Sequence, residues 1–296
     1  MSKLKATVVL PTTRDRGPLL PYSIGSIQHQ TLDDIEIFVI GDGVSDATRK
    51  VVQKLQSEDS RIKFFDHPKH ERRGEVYRHQ ALQEAKGEIV CYICDRDLML
   101  PNHVGTLYSL LQKYNFAFTA FIRVREDHSV MFDNYSKYFG PASEAPKKFV
   151  HRGNAALSSV GHTLAFYQQL PYGWRTTPEG QYTDVYMWKQ FLAHPQCQAY
   201  SHDEATMLYF KRGNFPGVPV SEREKELKRW SEKISTEKGI EAIKKEALKG
   251  LMHDRLRLRL RVISTPLISI KGYDLRELSS QLLERLKKNN SGRRET

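Results

Sequence analysis

Over its first 125 residues the chain alternates short apolar runs with amphipathic stretches, which confines it to an α/β fold with a mixed, mostly parallel central sheet. The runs at 6–11, 35–41, 62–66, 88–94 and 116–124 read as strands. Residues 37–40, Ile-Phe-Val-Ile, are apolar without a break, as in a parallel strand covered on both faces. Helices fall between these runs. Leu19, Ile24 and Ile27 mark one apolar face. Val51, Val52 and Leu55 follow a cap at Ser45 or Asp46. Val76, Ala81, Leu82 and Ala85 mark a third face. Val104, Leu107 and Leu111 stand behind Pro101, a suitable first helical residue.

Beyond Glu126 the pattern loosens. Residues 126–182 mix aromatic and polar residues with Gly and Pro, which reads as long loops with a strand or two. A helix is expected near 184–192 and a strand at 204–210. Residues 221–253 read as helix. The strict Leu/Arg alternation of 256–262 reads as a strand with one basic face, and the polar tail 287–296 as frayed. The expected organisation is a sheet domain over 1–215, divided into a ligand-binding half (1–125) and a second half (126–215). A helical basic extension follows over 216–296.

At 296 residues, with 39% hydrophobic and 27% charged content, such a domain buries a core without staples. The three cysteines are too few for a disulfide framework and suit a reducing compartment. Cys91 and Cys94 form a C-x-x-C, but inside a strand, where residues three apart point to opposite faces; both read as structural. The apolar run 6–10 is too short for a secretory segment, and no run reaches membrane-spanning length. A cytoplasmic protein is expected, or one peripheral to the inner face of a membrane. The net charge of +11 suits an anionic partner or simply a basic, soluble surface. Arg255, Arg257, Arg259 and Arg261 suit either an anionic lipid surface or a partner chain. No nucleic-acid-binding signature accompanies the charge, so nucleic acid is not expected as a partner.

The sharpest chemical feature is Asp95-Arg96-Asp97, directly after an apolar strand. Two carboxylates two residues apart, where a strand leaves an open sheet, face the region in which such sheets bind ligands. Hard oxygen donors suit Mg²⁺ or Mn²⁺ shared with substrate phosphates, whereas an isolated pair would be a solvated turn. Other motifs come before it in order: Val9-Leu-Pro-Thr12, Ser26-Ile-Gln-His-Gln-Thr31, Ile40-Gly-Asp-Gly-Val-Ser-Asp46, Gly74-Glu-Val-Tyr-Arg-His79 and Ala85-Lys-Gly-Glu88. Asp95-Arg-Asp-Leu-Met-Leu-Pro101 completes the set. Together, over about residues 5–125, they resemble the family 2 glycosyltransferases with a Rossmann-like GT-A fold. Gly41 stands where that family has the first Asp of Asp-Asp-Gly, and His79 where it has Asn.

The resemblance implies an inverting, metal-assisted transfer of a sugar from a nucleoside-diphosphate donor, typically UDP-linked, to a glycan, lipid-linked or small acceptor. Pro11, Thr12 and Arg14 would line the base and ribose, Asp42 would accept from the base, and Arg78 would approach the base or diphosphate. Asp95 would sit by the ribose or donor sugar beside Arg96, and Asp97 would hold Mn²⁺ or Mg²⁺ with Asp95. The general base falls to Asp184, with Glu179 second. Asp184 equally suits the N-terminal turn of a helix. Trp174, Tyr182 and Trp188 read as a sugar platform or as core, and His162 and His202 as further ligands or as ordinary histidines. A sugar-phosphate nucleotidyltransferase is the enzymatic alternative, although the glycine-rich loop of such enzymes is missing from Pro11-Thr-Thr-Arg-Asp-Arg-Gly17. A non-catalytic nucleotide-sugar-binding or nucleic-acid-binding protein is the other.

Overall fold

The computed structural model describes residues 4–132, 140–141, 155–210 and 218–264. β1 (Ala6–Arg14) and β2 (Ile35–Val44) pair in parallel. β3 (Ile62–His67) extends the sheet beyond β2, and β4 (Ile89–Tyr92) lies on the other side of β1. The sheet continues through β5 (Leu98–Met99), β6 (Phe116–Val124), β9 (Val160–Thr163) and β10 (Ala199–Phe210), in the order β3-β2-β1-β4-β9-β6-β10-β5. β9 is antiparallel to both β4 and β6, and β10 runs parallel to β6. β1, β2, β3, β4, β6 and β10 therefore share one direction, and their carboxyl ends form one edge. β7 (Val130–Phe132) and β8 (Gly140–Pro141) add short antiparallel pairings to β6 and β10. The five strands expected in the first 125 residues are all present.

Side-chain alternation along the strands supplies two cores. Val8, Leu10, Ile37, Val39, Cys91 and Ile93 pack against α1 (Leu20–Gln28), α2 (Asp46–Glu58) and α4 (His103–Leu111). Val9, Phe38, Ile40, Val90 and Tyr92 pack against α3 (Glu75–Leu82), α5 (Leu164–Tyr167) and α6 (Thr183–Ala193). Ser45 caps α2 by accepting from the Thr48 N–H. α4 starts two residues after Pro101, behind Asn102. Gly161 explains how β9 enters the middle of the sheet. A Cβ there would stand 3.2 Å from both Leu107 and Leu111 of α4 and 3.3 Å from the Val90 carbonyl. Cys91 is buried and Cys94 partly so; both are free thiols, and burial pushes Cys94 up to about 11.

A third core joins Leu98, Leu100, Ile122, Val124 and Phe210 to Leu227, Trp230 and Ile234 of α7 (Val220–Ile234) and to Ile243 and Ala247 of α8 (Glu237–Ser264). The sheet-bearing unit runs to Leu248, past the change of pattern at residue 215. Lys249–Thr296 form a second unit, described only as far as Ser264.

The strand expected at 256–262 is instead part of α8. Leu and Arg are both strong helix formers, and extending an existing helix avoids the cost of nucleation. The side chains of Arg255, Arg257, Arg259 and Arg261, the tail 287–296, and much of the loop region read at 126–182 lie outside the described residues. Among those described, no helix is long and apolar enough to cross a membrane.

Candidate functional site

The strand order reverses between β1 and β4: β2 and β3 lie on one side of β1, and β4 lies on the other. In open α/β sheets, the crevice beyond the carboxyl ends at such a point is where ligands bind. Asp95 sits there, 2% exposed. Thr12 Oγ1 donates to its Oδ2 at 3.0 Å, and Arg16 Nη1 lies 2.6 Å from Oδ1. The β1–β2 register shifts between Thr13 and Arg14, where Arg14 takes φ = +50°. This bulge re-aims the chain. The Arg14 side chain is exposed, and its carbonyl accepts from Thr48 Oγ1 at 2.7 Å. It is Arg16, two residues on, that reaches Asp95.

Asp97 is fully buried and ties three elements together. Ser158, just before β9, donates its hydroxyl to Oδ2 at 2.6 Å. The Phe210 N–H, at the end of β10, donates to Oδ1 at 2.9 Å. Arg96 Nε closes the arrangement on the Phe210 carbonyl at 3.1 Å. Burial raises the Asp97 carboxyl to about 6 against the opposing pull of Arg96, the Phe210 N–H and Ser158.

On the other side of the crevice, Asp42 at the end of β2 is already engaged. Lys69 Nζ and the His70 N–H each reach it at 2.6 Å. The Lys69 ammonium also donates to the His70 and Arg72 carbonyls. Gly74 follows with φ = +65°, packed so closely that a Cβ would lie 3.0 Å from that of Asp42. Glu75 is fully buried at the start of α3; it accepts from the Arg73 N–H at 3.0 Å and from the Thr183 hydroxyl at 3.3 Å. Burial would raise its carboxyl, but backbone N–H groups, Thr177 and Arg78 hold it below the usual range. Through Thr183, Glu75 anchors the first residue of α6.

The second residue of α6 is Asp184. Burial raises its carboxyl, opposed by N–H groups of its own turn and by the charges of Arg78 and Arg73. Arg78 is buried against the Trp174 ring at 4.8 Å and donates to the Arg73 carbonyl. Burial of Tyr209 on β10 raises its phenol, and the nearby charges of Asp97 and Asp184 raise it further. One field thus spans the Asp95–Asp97 turn and the start of α6.

The structure therefore gathers Thr12, Asp95, Arg96, Asp97, Arg78 and Asp184 around the crevice, with Pro11 half-buried at its edge. It leaves Arg14 pointing outward and Glu179 exposed on the turn before α6. Trp174 and Trp188 are core, and Tyr182 is 77% exposed. His162 is buried and hydrogen-bonded to the Tyr92 hydroxyl at 2.8 Å, while His202 lies 3.8 Å from Asp203 and Glu204. Sequence reasoning missed Arg16, Ser158, Glu75 and Tyr209. Only Arg16 carried a signal, as a second arginine in the turn after β1.

The donor set fits a divalent cation in a limited sense. Each oxygen of Asp95 and Asp97 already accepts one bond and keeps a lone pair. The buried Asp97 charge is incompletely compensated. Among the described residues no group of three His, Cys, Asp or Glu stands close enough to hold an ion alone. Two carboxylates completed by ligand oxygens and water are what Mg²⁺ and Mn²⁺ commonly use.

Comparison with known proteins agrees with this fold. The sequence profile of Glycosyl transferase family 2 matches residues 7–170. A GalNAc(5)-diNAcBac-PP-undecaprenol beta-1,3-glucosyltransferase of Campylobacter jejuni is 40% identical over 111 residues, 38% of this chain and 35% of that protein. The chain thus spans about a third of that relative. The crystal structure of Staphylococcus aureus TarS 1-349 in complex with UDP-GlcNAc superposes with a TM-score of 0.58 at 16% identity, over 77% of this chain and 65% of that one. The mannosyltransferase PcManGT from Pyrobaculum calidifontis, in complex with GDP-Man and Mn²⁺, gives 0.50 at 15% identity over 72% and 59%.

Proposed function

The chain belongs to glycosyl transferase family 2 and is a glycosyltransferase; from that premise we propose an inverting transfer from a UDP-linked sugar to a hydroxyl of a glycan or lipid-linked acceptor. The observation that carries this reading is the pairing of Asp95 and Asp97 at the reversal of strand order, each wired to a different strand end. Thr12 and Arg16 fix Asp95 for the ribose or donor sugar. Arg78 supplies fixed positive charge toward the diphosphate. Asp97 and Asp95 would hold Mn²⁺ or Mg²⁺ together with diphosphate oxygens, and such an ion neutralises charge that develops on the leaving group.

Asp184 is the base. Its raised carboxyl takes the proton from the acceptor hydroxyl as that oxygen bonds to the anomeric carbon and the bond to the diphosphate breaks. A single displacement inverts the anomeric centre. The name of the Campylobacter relative supports a lipid-linked acceptor. In that case the enzyme works at a membrane's cytoplasmic face, where Arg255, Arg257, Arg259 and Arg261 complement anionic lipid. Truncation at residue 248 should then abolish co-sedimentation with anionic liposomes.

The test of the donor site is thermal stability against a panel of nucleoside diphosphates and sugar nucleotides, with and without Mn²⁺. A ligand that binds only the native state raises apparent stability. A Mn²⁺-dependent rise with UDP or a UDP-sugar, lost in Asp97→Ala, is the expected result. A rise confined to purine nucleotides would overturn the UDP assignment, and none with any nucleotide would overturn the donor site.

A further inference from the structure

The segments 70–78 and 172–183 meet beside the start of α6. Arg72 Nη2 donates to the Pro178 carbonyl at 3.3 Å, His70 Nε2 lies 3.5 Å from Thr176 Oγ1, and Thr183 bonds Glu75. Guanidinium groups accumulate at this junction, and the Nε atoms of Arg72, Arg78 and Arg175 are all buried and unbonded. Arg175 is the extreme case. Its guanidinium carbon lies 3.9 Å from the centroid of the Tyr172 ring and 5.1 Å from that of Tyr186, and among the described residues it has no hydrogen-bond or carboxylate partner.

Arg175 is half-buried, with its Nε shielded from water and no carboxylate among the described residues to hold its charge, while ring contacts offset only part of the cost of that shielding. The nearby carboxylates do not supply the counter-charge. Glu75 is committed to Arg73 and Thr183, Asp184 to its own turn, and Glu179 is exposed to solvent. Tyr172 and Tyr182, 56% and 77% exposed, present aromatic rings on the same segment. Such faces stack on sugar rings, while a guanidinium fork matches phosphate or carboxylate in two-point contacts.

We propose that Arg175 and Arg72, with the exposed rings of Tyr172 and Tyr182, form an acceptor subsite for a glycan that carries an oxyanion close to the reacting hydroxyl. This rests on the reading of Asp184 as the base, since the subsite borders the helix that bears it. Phosphate and carboxylate share the recognising chemistry, and the experiment separates them.

The full chain is first saturated with UDP and Mn²⁺, so that added phosphate cannot enter the donor site. Glucose 1-phosphate, glucuronate and methyl glucoside are then titrated calorimetrically into wild type, Arg175→Gln, Arg175→Lys and Arg72→Gln. One anionic probe should bind the wild type at least tenfold more tightly than methyl glucoside does. Arg175→Gln should lose about that factor and Arg175→Lys less, with UDP affinity unchanged in both. Arg72→Gln repeats the test from the other segment. Equal binding of charged and neutral probes, or unaltered binding in Arg175→Gln, overturns the subsite. A fall in UDP affinity in Arg175→Gln overturns it too, by returning Arg175 to the donor site. If UDP binds none of the proteins, the donor reading fails separately. The same titrations without nucleotide then still decide the role of Arg175.

Discussion

Replacing Asp97 with Asn should make the ligand-free protein more stable while abolishing transfer. The carboxyl is fully buried, and burial holds it at about 6 instead of the ordinary 3.8. Between those values the folded state binds more protons than the unfolded state, so stability falls as pH rises through that window. Above about pH 6 the accumulated penalty, at about 1.4 kcal/mol per pH unit, is on the order of 3 kcal/mol. Asn keeps the shape and the bond from the Phe210 N–H but carries no charge. Its amide nitrogen faces Ser158 Oγ, which already accepts from the Cys94 N–H, and rearranging that hydroxyl returns about 1 kcal/mol. The net gain near pH 7.5 is about 2 kcal/mol, a rise of roughly 4–8 °C in melting temperature for a domain of this size. Melting curves from pH 4 to 8 in chelator-treated buffer test it. The variant should gain most above pH 6 and little near pH 4, and UDP with Mn²⁺ should stabilise only the wild type. An Asp97→Asn protein that melts below wild type at pH 7.5 without metal would refute the reasoning, because Asp97 would then be a net stabilising hydrogen-bond acceptor.

The other expectations concern separate parts of the molecule. Asp184→Asn should lower kcat by about 10²–10⁴ with donor affinity retained, as measured by initial rates beside UDP titration; a retained rate would remove Asp184 as the base. Arg16→Ala should weaken UDP-sugar binding about tenfold or more, because it leaves the buried Asp95 charge with Thr12 as its remaining side-chain partner in the crevice. Burial holds His103 and His162 down to about 3. Since the unfolded state binds the extra protons between about 3 and 6.5, stability should fall with decreasing pH by up to about 1.4 kcal/mol per pH unit for each histidine, and His103→Gln should flatten that slope in urea titrations. Trp230→Ala should cost about 3–5 kcal/mol, because the ring is fully buried where α7 meets the sheet.

Legibility in the sequence follows the range of the forces involved. β1, β2, β3, β4 and β6 were readable because each carries its own apolar run and its side chains alternate between two cores. β9 was not, because its four residues include Gly161 and His162. Its place in the sheet depends on the Leu107 and Leu111 side chains closing over a missing Cβ, which is a tertiary fact. The 256–262 stretch misled for the opposite reason. Its two-residue period is local, and the helix entering from Glu237 overrides it. Trp174 and Trp188 were open between platform and core. The structure places both in the core, where the Trp174 indole N–H satisfies the Tyr92 hydroxyl at 2.9 Å.

At the site the same division separates what a motif carries from what the backbone recruits. Asp95 and Asp97 were legible because they directly follow an apolar strand run, whereas the groups that hold them, Thr12, Arg16, Ser158 and the Phe210 N–H, come from other elements. The arginine that reaches Asp95 is Arg16, two residues beyond the Arg14 read from the motif, since nothing in Thr13-Arg14 announces a bulge with positive φ. Asp42 occupies its motif position, yet both its oxygens are engaged by Lys69 and His70. With Gly41 in place of the preceding carboxylate, β2 offers the base no carboxylate oxygen without a partner. A base that bonds to Asp42 must either share it with the Lys69 ammonium or displace that group. Displacement would also cost Lys69 the geometry of its bonds to the His70 and Arg72 carbonyls. If Asp42 receives the base, base selection would be coupled to the 69–73 loop, and through Arg72 to the segment that leads into α6.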